Sequence, residues 1–242
     1  MVTLALPFTG RWRVENSPAR RVPSHGTDLM GERYAIDFVA VDARRRSASQ
    51  RDWRTLLATE PAERYLAFGR GILAPADGVI VGTHDGESDH RGRRSQLALL
   101  PYMLGQAQRV RSGADAVAGN SVILALRDGG PYVALVHLRR GSLRVRIGDE
   151  VTIGQPLAEC GNSGNSTQPH LHLQVMDGLD FARARGVPIE FRNFREWPRG
   201  ARLPDHPLAP PTALDSMPHL GDLSRHVRAT GVPDEGSVVE PA

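Results

Sequence analysis

The chain contains no lysine: all 30 of its basic residues are arginine. That absence excludes Schiff-base chemistry on a lysine amine and a phosphate loop of the lysine-bearing kind. A single cysteine, Cys160, excludes an internal disulfide and any metal site built on several thiolates. No window approaches 18 uninterrupted apolar residues, so no membrane span is read. The basic excess over 27 acidic residues is only +3, too small to argue for nucleic acid. Residues 1–10 lack a basic start followed by a long apolar stretch, and Pro7 and Gly10 interrupt them. No signal peptide is read there, and the default location is the cytoplasm. The arginine bias itself has a simple account in codon usage.

What is present is ordinary globular composition, 40% hydrophobic and 24% charged over 242 residues. Short apolar runs dominate, including Tyr34 to Val41, Gly78 to Thr83, Ser121 to Leu126, Tyr132 to His137 and Leu171 to Val175. Gly, Asp and Pro punctuate them, and Asp128-Gly129-Gly130 reads as a hairpin turn. Leu143 to Ile147 also alternates like a strand. The predicted fold is mainly β, an antiparallel sandwich or partly closed barrel. Two short helical inserts are predicted, over residues 49–57 and 95–110. From residue 195 prolines thicken, so the expected organisation is a domain over 1–194 and a Pro-rich extension over 195–242.

Histidine and carboxylate must then carry any metal or acid–base chemistry. A Gly-Asn-Ser loop from Gly161 leads into His170-Leu171-His172 at the start of a strand. Strand side chains alternate faces, so His170 and His172 share one face while Leu171 takes the other. Asp37 sits inside an apolar run, where an ionised carboxylate is costly unless paired or metal-bound. His137 ends another apolar run, and His25 precedes Asp37 by twelve residues. One carboxylate and several histidines beside strands match the ligand set of a catalytic zinc, whose fourth position is left to water.

Blocks in order along residues 10–194 resemble the lysostaphin/LytM-type zinc endopeptidases. They are Trp12-Arg13-Val14, Ser24-His25-Gly26, Tyr34-Ala35-Ile36-Asp37-Phe38, Ala74 to Ile80, Gly119 to Val122, Val136-His137-Leu138, Gly148 to Val151 and Gly161 to Gln174. The resemblance implies a duplicated-hybrid-motif fold, one zinc ion held by His25, Asp37 and His172, and two non-ligand catalytic histidines, His137 and His170. It implies a peptide substrate, the peptidoglycan cross-links of bacterial cell wall, met outside the cell by a monomer. Better-known members place the first histidine four residues before the aspartate; Arg33 stands there in this chain, and His25 lies further upstream. Leu173 and Gln174 replace the aromatic and acid that usually follow His-Leu-His. A second reading keeps the scaffold without the chemistry: an inactive peptidase-like domain that binds peptide or regulates a partner.

Overall fold

The computed structural model describes residues 1–50, 52–95, 113–126, 129–205 and 226–242. Most of the predicted second helix, and the Pro-rich stretch 206–225, lie outside the described residues. Thirteen strands are described: β1 (Val2–Ala5), β2 (Trp12–Glu15), β3 (Ile36–Ala40), β4 (Gly71–Leu73), β5 (Gly78–His84), β6 (Asn120–Leu126), β7 (Tyr132–Leu138), β8 (Glu150–Val151), β9 (Pro156–Glu159), β10 (Leu171–Met176), β11 (Ile189–Trp197), β12 (Val227–Gly231) and β13 (Val238–Pro241). Eleven form one sheet in the order β1-β11-β13-β2-β3-β10-β7-β6-β5-β8, with β12 added on β11; β4 and β9 pair separately.

The path is open, so the described strands make no closed barrel. The sheet is also mixed, not purely antiparallel: β1 runs parallel to β11, with Val2 opposite Ile189 and Ala5 opposite Arg192. Those strands are joined by most of the chain, so no tight hairpin dictates their direction. Elsewhere the pairs are antiparallel, including the predicted hairpin of β6 and β7. Leu143 to Ile147 alternates in sequence but joins no ladder, and Ile147 is exposed.

Near the predicted first insert is a five-residue helix, α1 (Trp53–Leu57), started by an Asp52–Thr55 capping box. Its Trp53, Leu56 and Leu57 face outward, so helical spacing is present without burial. A second short helix, α2 (Ala114–Ala118), leads into β6.

The core forms on one face of the main sheet. Phe8 stacks on Trp12 at 4.6 Å between ring centres, and Phe38 meets Phe8 and Phe191 edge-on at 5.0 and 5.6 Å. Each of these aromatic side chains is almost fully buried, a burial that stabilises by roughly 2–3 kcal/mol apiece. Strands β3 and β10 send Ile36, Phe38, Leu171, Leu173 and Val175 into this core. By alternation their other face carries Asp37, His172 and Gln174. Strand β11 runs through residue 195, and β13 inserts between β11 and β2, with Val238 and Val239 fully buried.

Candidate metal centre

β3 and β10 are neighbours whose register places His172 directly opposite Asp37. His172 Nδ1 lies 2.9 Å from Asp37 Oδ1. Its other nitrogen, Nε2, donates to Gln174 Oε1 at 3.0 Å, and the Gln174 amide donates onward to the Met30 carbonyl at 2.7 Å. His25 comes from the loop before β3, with Nε2 3.1 Å from Asp37 Oδ2 and Nδ1 3.0 Å from Ser24 Oγ. The Asn16 amide donates to Asp37 Oδ2 at 2.8 Å. One donor atom each from His25, Asp37 and His172 lies within 4.8 Å of the others.

His137 and His170 stand together beside this triplet, their rings 4.8 Å apart. His170 Nδ1 donates to the Gln168 carbonyl at 2.8 Å, leaving Nε2 towards Asp37 Oδ1 at 3.7 Å. His137 Nδ1 donates to the Ser163 carbonyl at 2.9 Å. All five predicted site residues are therefore brought together, around a cavity of about 280 Å³.

How His137 reaches the cavity is a matter of backbone. In β7, Val133 and Leu135 point into the main core, and so does Leu138, three residues on. Strict alternation would put His137 with Leu135, on the wrong face. The β6–β7 register slips between Asn120 and Val122, and His137 has φ +61. This bulge turns Val136 and His137 to the cavity side together. Ser163 fixes it: its Oγ donates to the Leu138 carbonyl at 2.8 Å and accepts from the Asn120 amide N–H at 3.0 Å. Gly119 and Gly164 allow the loops to meet, since a Cβ on Gly119 would sit 2.5 Å from Ser163 Oγ and 2.6 Å from the Gly164 nitrogen.

The electrostatics follow from burial and crowding. Burial alone would raise the Asp37 carboxyl, but the charges and hydrogen bonds of His170, His25 and His172 hold it well below the usual range. Burial opposes protonation of His172, yet the hydrogen bond and charge of Asp37 raise it to about 9. His137 is pushed well below its ordinary value by burial, then by His170 and His172, and stays neutral. Two imidazoles and a carboxylate converging in this way are the nitrogen and oxygen donors that zinc takes.

Sequence reasoning missed Gln174, Asn16 and Ser163 as partners of the site. Asn162 satisfies backbone, donating to the His90 carbonyl at 2.7 Å, whereas Asn165 lines the cavity. Trp12 is a core residue and Cys160 a buried one.

The model of peptidase family M23 matches residues 104–189. This is the family of the resemblance. Three of the five site residues, His137, His170 and His172, fall within the M23 match; His25 and Asp37 precede it. Among solved structures, the catalytic domain of lysostaphin from Staphylococcus simulans is 18% identical, with 74% of this chain and 88% of that one covered and a TM-score of 0.37. A zinc-containing peptidase from Vibrio cholerae is 15% identical over 63% of this chain and 45% of its own, with a TM-score of 0.31. A variant of the catalytic domain of the prophage-encoded M23 protein EnpA from Enterococcus faecalis is 17% identical, over 59% and 94%, at 0.30. The chain spans 40% of lysostaphin as a whole. No described helix is long and apolar enough to cross a membrane.

Proposed function

We propose that this protein is a zinc-dependent endopeptidase of the M23 kind that hydrolyses peptide bonds in bacterial peptidoglycan, acting at the cell wall as a monomer. The supporting observation is the convergence of His25, Asp37 and His172 in one cavity with His137 and His170. On fold, the proposal extends to a β-sandwich or partly closed barrel of the duplicated-hybrid-motif type.

His25 would bind one zinc ion through Nε2, Asp37 through a carboxylate oxygen and His172 through Nδ1, the nitrogens left by the bonds to Ser24 and Gln174. Zinc supplies Lewis acidity, polarising a peptide carbonyl and bringing water to hydroxide near neutral pH. The protein's own groups do the rest. His137, kept neutral by burial and its histidine neighbours, accepts a proton through Nε2. His170, its Nδ1–H held by the Gln168 carbonyl, presents Nε2 to the same space and, with that nitrogen protonated, supports the developing oxyanion or gives its proton to the leaving amine.

The test separates ligands from proton carriers. Asp37→Ala and His172→Ala lose stoichiometric zinc, whereas His137→Ala and His170→Ala keep it and lose cleavage of wall peptides and glycine-rich peptides. Full zinc retention by Asp37→Ala overturns the ligand set. Wild-type protein that holds zinc and leaves every such peptide intact is instead the non-catalytic binding module.

A further inference from the structure

A second cavity, of about 470 Å³, adjoins the first, and Asn16 lines both. Its near wall is the end of β2, where Glu15 lies opposite Asp37 in register and Asn16 bonds the Asp37 carboxylate. Its far wall comes from the residues after β11 and before β13, which bring Arg199, Glu235 and Gly236. Three arginines line it, Arg13, Arg45 and Arg199, and their pairing differs.

Arg13 is matched, giving Nε and Nη2 to Glu15 Oε1 at 3.1 and 2.5 Å. Glu235 is also matched, by Arg20 outside the cavity lining. Arg45 is anchored without being neutralised: its Nη2 donates to the carbonyls of Pro198 at 2.7 Å and Ala201 at 2.9 Å, its Nε to Ala201 at 3.2 Å and its Nη1 to Gly236 at 3.4 Å, and among the described residues it meets no carboxylate. Arg199 makes no hydrogen bond or ion pair among the described residues, and its stem packs over Gly236. The two carboxylates of the lining, Glu15 and Glu235, are thus taken by Arg13 and Arg20, and among the described residues Arg45 and Arg199 have no carboxylate partner, the first anchored by carbonyls and the second exposed. Burial and the neighbouring Arg13 both disfavour the charged form of Arg45, a cost that an incoming anion offsets. The guanidinium fork of Arg199 is matched in shape to a carboxylate, while Arg45, its nitrogens held by carbonyls, contributes charge.

We propose that Arg45 and Arg199 form a carboxylate-binding subsite beside the metal centre, selecting peptides with an acidic residue close to the bond that is cut. This rests on the peptidase reading and deepens it by naming a substrate class. Arg45 sets the position of the positive charge, and Arg199 closes on the carboxylate from the open side. The subsite also gives a use to the chain after β11, which supplies one of its walls.

The experiment compares hexapeptides that differ only by Glu or its neutral isostere Gln at a single position flanking the scissile bond, with the zinc-loaded protein. At the position that reaches the subsite, wild type favours Glu by about tenfold in kcat/KM, the range for a hydrogen bond to a charged group. Arg199→Gln brings that ratio close to one, Arg199→Glu takes it below one, and added salt shrinks it in wild type. Arg199 is exposed and makes no hydrogen bond or ion pair among the described residues, and Gln and Glu both keep the part of the stem that packs over Gly236. A ratio of one at every position in wild type, or an undiminished ratio in Arg199→Gln, overturns the subsite and leaves the peptidase standing. If no peptide is cleaved, the peptidase reading falls, and calorimetric binding of the same peptides decides the subsite. Glu-selective binding lost in Arg199→Gln upholds it; equal binding of Glu and Gln peptides overturns it.

Discussion

Gln174 holds His172 by the tail: its amide oxygen takes the Nε2–H at 3.0 Å and leaves Nδ1 facing Asp37. The two residues are two apart on β10 and so share a face. Partners of this kind fix which nitrogen of a ligating histidine is available.

Gln174→Leu removes that partner while keeping a side chain of similar bulk. Zinc affinity is expected to fall about 10–100-fold, read by competition with a chromophoric chelator. Gln174→Glu restores the acceptor and recovers affinity. Unchanged zinc affinity in Gln174→Leu counts against His172 as a ligand through Nδ1.

Gly119→Ala drives a methyl group into Ser163 and Gly164. Because Ser163 holds His137 by its carbonyl, the expected outcome is retained zinc with kcat reduced by about tenfold or more, as for a misplaced proton carrier. Loss of zinc would mean that the disturbance spreads to β10.

Glu60 gives the fold a defined acid sensitivity. It is fully buried and receives Arg94 Nη2 at 2.6 Å and Nε at 2.7 Å, with Tyr65 and Thr55 hydroxyls donating at 3.2 and 3.1 Å. Burial would raise its carboxyl, but the bonds and charge of Arg94 outweigh that and hold it below the ordinary 4.5. A carboxyl lowered on folding adds stability above its unfolded value and loses it as pH falls through the folded one. Wild-type stability should therefore decline below about pH 4.5, and Glu60→Gln should flatten that part of the curve in chemical denaturation. Arg94→Ala, which leaves the buried carboxylate short of its main partner, should cost about 3 kcal/mol at neutral pH.

Val239 is fully buried where β13 meets β2, opposite Trp12. Val239→Ala is expected to cost about 2 kcal/mol by cavity formation, seen as a lower Tm. A change within about 0.5 kcal/mol would mean that this strand contributes little to the sheet.

Much of the site was legible because strand alternation is a local rule. His170-Leu171-His172 and the acid within Tyr34 to Val41 declare a polar face on otherwise apolar strands. His137 was legible only as a histidine: alternation assigns it to the core, and the bulge that redirects it depends on a register slip against β6. Asn16 and Ser163 act on the site through hydrogen bonds across elements, as does Gln174 on Met30, 144 positions away, and no local pattern encodes those. The parallel pairing of β1 escaped for the same reason. Strand β12 escaped because four of its five residues are exposed and carry no alternation.

The opposition of Asp37 and His172 across β3 and β10 also has a kinetic side. They are 135 residues apart in the chain, and closing a loop of that length costs about 4 kcal/mol in chain entropy. Contacts so distant in sequence form late and slowly. A partly folded chain therefore offers a metal ion scattered histidines and no pocket. For the proposed zinc site, metal capture and completion of the central sheet would be a single event, with no loading of the ion before the chain has its shape.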